Sequence, residues 1–158
     1  MIRAVRTLIS LVFLQLLLAC GVQENFDEAD AEINDFHYNY NNNEWDDIWS
    51  RTSPEFRKQQ SKESFVNFLD GVKSVLGDEL EGTQTGWNVN TTPMGTFTVV
   101  TKQTRFEKGE ATEVFTFRID DSRVEMVGYN INSQAMMDAL MKDAARGRAH
   151  EKSTDPTP

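Results

Sequence analysis

Three polar residues in the C-terminal half, Lys102, Glu113 and Asn130, are the strongest candidates for a chemical site. They lie in segments of alternating polar and apolar residues, and in a strand such alternation places every second side chain on one face. Counted from two-residue turns at 108–109 and 121–122, all three fall on the more apolar face. Charged groups on a buried face must pair or they destabilise the fold. We therefore expect these residues to lie close together, either lining a ligand pocket or forming a salt bridge at the end of the sheet.

The residues of common catalytic and metal sites are scarce. The histidines are His37 and His150, and the single cysteine is Cys20. A zinc site of the usual ligand set therefore lacks donors, and a Ser–His pair would have to use His37. Because His37 lies at the edge of an apolar helix face, we expect it to be a packed or half-exposed helix residue. We predict no catalytic residue, no metal and no cofactor, as in a non-enzymatic protein.

The charge of the chain restricts its partners. The sequence has 16 basic and 25 acidic residues, a net charge of −9. Removal of Arg3 and Arg6 with a leader leaves 14 basic residues against 25 acidic ones, a net charge of −11. Phosphates of nucleic acids and anionic lipid head groups repel such a surface. We expect no nucleic-acid partner, and any attachment to a membrane must be covalent or apolar.

The first 20 residues have the pattern of an export signal. Two arginines precede the apolar run Thr7–Leu18. This run is too short to cross about 30 Å of hydrocarbon, which needs about 20 residues, but it has the length of a signal peptide. It ends in Leu17-Leu18-Ala19-Cys20, which resembles the lipobox of bacterial lipoproteins. The resemblance implies cleavage after residue 19, and diacylglycerol and palmitate-type acyl chains on Cys20 that anchor the protein to the membrane.

The residue after Cys20 indicates the membrane to which the lipoprotein is sorted. Aspartate at this position resembles an inner-membrane retention signal, whereas this chain has Gly21. The resemblance therefore implies an outer-membrane lipoprotein that faces the periplasm. Two alternatives stay open, namely an ordinary signal peptide that happens to end near a small cysteine, and a short uncleaved anchor.

The first half of the mature chain has the apolar spacing of helices. Asn41–Asn43 separates the first helix from a second one, and Ser53 and Ser61 have the residue type and position of N-caps. Gly77 ends the last of these helices. The apolar positions are Phe26, Ala29, Ile33, Phe36 and Tyr40, then Trp45, Ile48 and Trp49, then Phe65, Phe68, Leu69, Val72, Val75 and Leu76. We expect Phe65, Phe68, Leu69 and Val72 to pack on a sheet.

From Gly82 the apolar period changes from helical to alternating. It predicts four antiparallel strands at about 83–91, 96–107, 110–119 and 123–131. Ser133 then caps a last helix, whose Met136, Met137 and Met141 we expect to pack in the core with one or two of them exposed, rather than to form an adaptable binding surface. Helices and strands segregated in this way predict an α+β fold. The predicted organisation is a signal peptide at 1–19, a lipidated tether at 20–25, one domain at 26–145 and a disordered tail at 146–158.

The order of elements carries a second resemblance. The Trp45–Trp49 helix, the turn Ser53–Arg57 and the segment Gly128–Ser133 resemble an uncharacterised bacterial family with a cystatin-like fold, related in shape to the nuclear-transport-factor cone. The resemblance implies a fold and brings no activity. Three functions stay open: a non-enzymatic binding or envelope-accessory domain, an enzyme or small-molecule carrier that uses the Lys102 pocket, and an anchored inhibitor or immunity protein.

Overall fold

The computed structural model of the chain describes residues 26–120 and 123–153. The predicted leader, Cys20, the tether, the 121–122 turn and residues 154–158 lie outside the described residues. The first helix, α1, covers 26–41 of the described chain. The other helices are α2 at Trp45–Ser50, α3 at Pro54–Gln59, α4 at Lys62–Leu76 and α5 at Gln134–Ser153. The strands are β1 at Glu79–Thr92, β2 at Gly95–Phe106, β3 at Gly109–Asp120 and β4 at Arg123–Asn132.

The helix boundaries follow from local side-chain chemistry. Asn43, in the turn between α1 and α2, has a φ of 58°, a left-handed conformation that asparagine tolerates. The hydroxyl groups of Ser53 and Ser61 each accept a hydrogen bond from the backbone N–H three residues later, as predicted for N-caps. Gly77 follows α4 with a φ of 78°, a value that suits glycine. These four residues divide the N-terminal half into the predicted helices.

The strands form one antiparallel sheet in the order β1-β2-β3-β4, which confirms the predicted α+β class. The turn between β2 and β3 lies one residue earlier than predicted, because Phe106 pairs with Gly109 across Glu107 and Lys108. Moving the turn by one residue changes which residues of β2 and β3 are paired, but it leaves each residue of both strands on its predicted face. Lys102 consequently lies directly opposite Glu113 rather than diagonal to it.

β4 contains a bulge that the alternation did not predict. Phe117 pairs with Met126 as expected, but Thr116 pairs with Gly128, so Val127 is one additional residue in β4. A bulge reverses the inward and outward positions that follow it. Tyr129 therefore lies opposite Phe115 on the core side.

The core lies between the helices and one face of the sheet. β2 and β3 bury alternate residues there, as the sequence predicted. The apolar residues buried in the core are Ala29, Ile33, Phe36, Tyr40, Ile48, Phe56, Phe65, Leu69, Val72, Leu76, Val100, Phe106, Ala111, Phe115, Phe117 and Met126. Aromatic rings from α1, α4 and β3 make up much of this set, and edge-to-face contacts such as Phe36–Phe115 at 5.2 Å join the layers.

The predicted packing of Phe68 needs correction. Phe68 is 39% exposed, with ring contacts to Phe65 and Tyr129, because it lies at the margin of the buried stripe of α4. Met136 packs against the core and Met137 and Met141 are exposed, which agrees with the expectation that one or two of the three would be. The backbone of α5 is helical to Ser153, past the predicted start of a tail at residue 146. In the described part of the chain, no helix is long and apolar enough to span a membrane.

Candidate functional site

Glu113 is the centre of a buried polar network. Its side chain is fully buried on β3 and faces the helices. His37 Nε2 lies 3.0 Å from Glu113 Oε2, and the Tyr129 hydroxyl donates a hydrogen bond of 2.7 Å to Oε1. Each carboxylate oxygen therefore has a partner, which compensates for the loss of water around a buried charge.

Helix α1 supplies two polar side chains to this region. Asp30 and His37 are seven residues apart, close to two helical turns, and therefore lie along one side of the helix. This side borders the apolar stripe formed by Ile33 and its neighbours. The imidazole of His37 packs edge-on against the Phe115 ring at 5.7 Å, and this contact orients Nε2 toward Glu113.

The bulge in β4 supplies the third partner of Glu113. Without Val127 as an additional residue, the alternation would place Gly128 and Asn130 on the core side. With it, Tyr129 faces inward and its ring contacts Phe36 at 4.8 Å and Phe115 at 5.0 Å. Asn130 instead lies on the opposite face, opposite Val114, and is exposed. The predicted position of Asn130 is therefore wrong, and one inserted residue is the cause.

Lys102 is buried on the predicted face but has a different partner. Its ammonium group bonds to Asp30 Oδ1 at 3.3 Å, while the oxygens of Glu113 bond to His37 and Tyr129. The predicted salt bridge between Lys102 and Glu113 is thus replaced by two adjacent pairs. The Lys102 stem runs beneath Gly82, where an added Cβ would lie 3.1 Å from Lys102 Cε. The absence of a side chain at Gly82 leaves room for the lysine.

The environment shifts the pKa values of the network in opposite directions. Burial opposes ionisation of Glu113, but the hydrogen bond and the charge of His37, with hydroxyl donors, outweigh it and hold the pKa below its usual range. Burial, followed by the nearby Glu113 charge, raises the pKa of the Tyr129 hydroxyl well above its usual value. Tyr129 is therefore a persistent hydrogen-bond donor to a carboxylate that stays ionised.

The network joins elements that are distant in sequence. Glu113 connects β3 to α1 through His37 and to β4 through Tyr129. Lys102 connects β2 to α1 through Asp30. The three residues of the predicted pocket, Lys102, Glu113 and Asn130, do not share one cavity, since the last points away from the other two. Among the described residues, no cluster of His, Cys, Asp or Glu has the geometry of a metal site.

Sequence reasoning placed Lys102 and Glu113 correctly but missed their partners. His37 was expected to pack, which it does, but its bond to Glu113 was not predicted. Asp30 was grouped with the surface acids of α1, although its spacing from His37 placed both at the margin of the apolar stripe. The inward position of Tyr129 could have been predicted from its residue type, because an aromatic ring fits a core face better than Gly128 or Asn130 does.

Comparison with known proteins places the chain in a family. The model of a family described as a protein of unknown function (DUF4019) matches residues 36–129, which is more than half of the chain, so the chain belongs to this family. The matched range includes His37, Lys102, Glu113 and Tyr129. No curated protein matches the chain, and no solved structure matches it.

Proposed function

We propose that this member of the DUF4019 family is a lipid-anchored, exported binding or envelope-accessory protein without enzymatic activity. The observation that carries the proposal is Leu17-Leu18-Ala19-Cys20 at the end of a short apolar run with two preceding arginines. In the proposal, cleavage before Cys20 and acylation of its sulfur and amino groups attach the domain to the outer membrane, facing the periplasm. Two or three acyl chains hold a protein firmly, at about 0.8 kcal/mol per buried methylene.

The buried network supports a role in binding rather than catalysis. A general acid or base must reach a substrate atom, usually within about 3 Å or through one water. Both oxygens of Glu113 instead bond to protein groups, and Lys102 is 6% exposed with Asp30 as its partner. These groups are used to hold the layers together, which leaves the surface of the domain as the place where a partner would bind.

We further propose that the domain is cystatin-like. The order of a long helix α1, the short helices α2 and α3, the longer helix α4 and then a four-stranded antiparallel meander supports this assignment. The bulge in β4 and the register shifts in β1 support it as well, because such irregularities bend a sheet around a helix.

A second candidate function is an anchored inhibitor or immunity protein with a basic target. It is favoured by the outer side of α1, where Tyr38 is 64% exposed on the helix that carries Glu28 and Asp35. An exposed aromatic ring one helical turn from the exposed acid Asp35 suits recognition of a cationic protein surface, and the net charge of −9 would speed the encounter. Salt-sensitive binding to basic envelope proteins that is lost in Tyr38→Ala would favour this candidate.

The proposal is tested by metabolic labelling with palmitate in a diderm bacterium. The wild-type chain should incorporate label and fractionate with the outer membrane. Cys20→Ser should incorporate none and accumulate as a longer precursor. Gln23→Ser is the matched control, since it makes a similar change three residues downstream and should be labelled normally. Equal labelling of Cys20→Ser, or an unlabelled wild-type chain, would contradict the anchor.

A variant at the next residue tests the destination separately. Gly21→Asp should keep the label but move the protein to the inner-membrane fraction. Unchanged outer-membrane fractionation of Gly21→Asp would contradict the proposed sorting without affecting the lipid anchor.

A further inference from the structure

The longest uncharged stretch of this acidic chain is Gly82–Thr101, twenty consecutive residues without Asp, Glu, Lys or Arg. It forms most of β1, the turn that follows and the first half of β2. Charged residues make up 26% of the sequence, so their absence from these adjoining parts of two paired strands distinguishes this part of the surface. We refer to Gly82–Thr101 as the uncharged hairpin.

The uncharged hairpin exposes large apolar side chains. Trp87 is 51% exposed, and Met94, at the turn, is 78% exposed. β1 is the edge strand of the sheet, so its outer side pairs with no other strand of the described chain. Between the two apolar residues, Asn88, Asn90 and Thr91 are exposed and offer polar groups on the two faces of this edge strand. This combination of an indole ring, a thioether, amides and a hydroxyl matches the composition of a membrane interface rather than that of the hydrocarbon core.

The uncharged hairpin lies beside the start of the domain. Phe26, the first described residue, packs against Trp87 with ring centroids 6.0 Å apart. Cys20 precedes Phe26 by six residues, so it lies within about 20 Å of that contact even when the chain is fully extended. At about 3.3 Å per residue, Trp87 and Met94 are separated by a similar length of strand, about 23 Å. A bilayer that holds a lipid on Cys20 is therefore within reach of the whole hairpin.

We propose that the uncharged hairpin lies against the head groups of the bilayer that carries the lipid anchor, with the edge of β1 toward the lipid. The partner is a zwitterionic phospholipid surface. Trp87 and Met94 contact the boundary between head groups and acyl chains, while the amides of β1 hydrogen-bond to the head groups. The inference rests on the proposed anchor at Cys20. Its consequence is a fixed orientation, in which α5 and the start of β3 point away from the membrane.

The lack of charge favours contact between this side and the membrane. The mature chain has a net charge near −11, and charged side chains resist the loss of water that close contact with a bilayer requires. The uncharged hairpin adds no like-charge repulsion and requires no charged side chain to lose its water. Weak apolar contacts suffice, because the covalent lipid already keeps the domain at a high local concentration near the bilayer.

The orientation can be measured with spin labels on the full lipidated protein. Lipidation consumes the thiol of Cys20, which is the only cysteine, so an introduced cysteine is a unique labelling site. Met94→Cys and Asn90→Cys report on the uncharged hairpin. Met141→Cys on α5, 64% exposed, is the matched control. The labelled proteins are reconstituted in vesicles of phosphatidylcholine and phosphatidylethanolamine, and collisions with a water-soluble nickel complex and with oxygen are compared.

The expected result is a several-fold lower collision rate with the nickel complex at residues 94 and 90 than at 141. Addition of Trp87→Glu to the Met94→Cys protein should raise the nickel accessibility toward that of the control, while the protein still floats with the vesicles. Circular dichroism verifies that this variant is folded.

The outcomes separate the two proposals. A protein that floats with the vesicles but shows equal accessibility at residues 94, 90 and 141 would overturn the orientation and leave the anchor standing. A protein that carries no lipid and does not float would overturn the anchor, and the orientation with it.

Discussion

The hydroxyl group of Tyr129 offers the sharpest test of the buried network. Tyr129→Phe removes the 2.7 Å hydrogen bond to Glu113 and leaves the ring contacts with Phe36 and Phe115 in place. Hydrogen bonds to charged groups contribute about 1.5–3 kcal/mol, and a buried carboxylate that loses a donor cannot replace it with bulk water. We therefore expect the free energy of unfolding to fall by about 2 kcal/mol.

Urea denaturation at pH 7 measures this change, with Tyr38→Phe as the matched control. Tyr38 is 64% exposed, so removal of its hydroxyl should alter the free energy of unfolding by less than about 0.5 kcal/mol. Equal effects of the two substitutions would show that the Tyr129 hydroxyl does not stabilise the folded protein, and the account of the network would be wrong.

A double-mutant cycle then identifies the partner. Glu113→Gln combined with Tyr129→Phe should destabilise by less than the sum of the two single changes, with a coupling of about 1 kcal/mol or more. Additive effects would mean that the hydroxyl acts on some group other than Glu113.

Three further predictions follow from burial, backbone geometry and ionisation. The lowered pKa of Glu113 means that its charge stabilises the fold above the ordinary glutamate pKa of about 4.3, and this contribution disappears as the pH falls through the folded-state value. Wild type should therefore lose more stability than Glu113→Gln as the pH is lowered below the ordinary glutamate pKa in urea titrations, and parallel losses would refute the assignment. Phe65→Ala should cost about 3–5 kcal/mol, whereas Phe68→Ala should cost less than half as much, because Phe65 is 2% exposed and Phe68 is 39% exposed; equal shifts in denaturant midpoint would contradict this. Gly77→Ala should lower the melting temperature, because the φ angle of Gly77 is positive and an added Cβ would clash with Glu107. Gly71→Ala should raise the melting temperature, because Gly71 lies inside α4 where a Cβ meets no other atom and alanine favours the helix. Shifts of the same sign in the two variants would disprove this explanation.

The helices could be predicted because their signals are local. Ser53 and Ser61 act through the backbone N–H three residues later, and Asn43 and Gly77 act through their own φ angles. Each of these interactions involves residues that are neighbours in sequence. Which methionines of α5 are exposed could not be predicted in this way, because the exposure of Met137 depends on where the helix docks, and no local pattern records that.

The sheet shows where the alternation of polar and apolar residues no longer predicts which side chains are buried. It predicted the buried faces of β2 and β3, because a turn displaced by one residue moves both strands together and preserves the faces. It failed in β4 after Val127, because a bulge changes one strand alone. Because of this one additional residue, Tyr129 lies on the core side where Asn130 was predicted, and the site therefore differs from the predicted one.

The partners of the buried charges lie beyond sequence patterns for a different reason. His37 and Glu113 are separated by 76 positions, and Lys102 and Asp30 by 72. Their pairing depends on how α1 crosses the sheet. The sequence did require that buried charges be paired, and the structure identifies the partners that satisfy this requirement.

The mass of the N-terminal peptide of the mature protein tests the central claim most directly. The protein is extracted from membranes with detergent, digested and analysed by mass spectrometry. We expect a first peptide that begins at Cys20 and carries a diacylglycerol thioether and an N-acyl chain. A peptide that begins elsewhere, or an unmodified Cys20 thiol in protein recovered from the envelope, would contradict it.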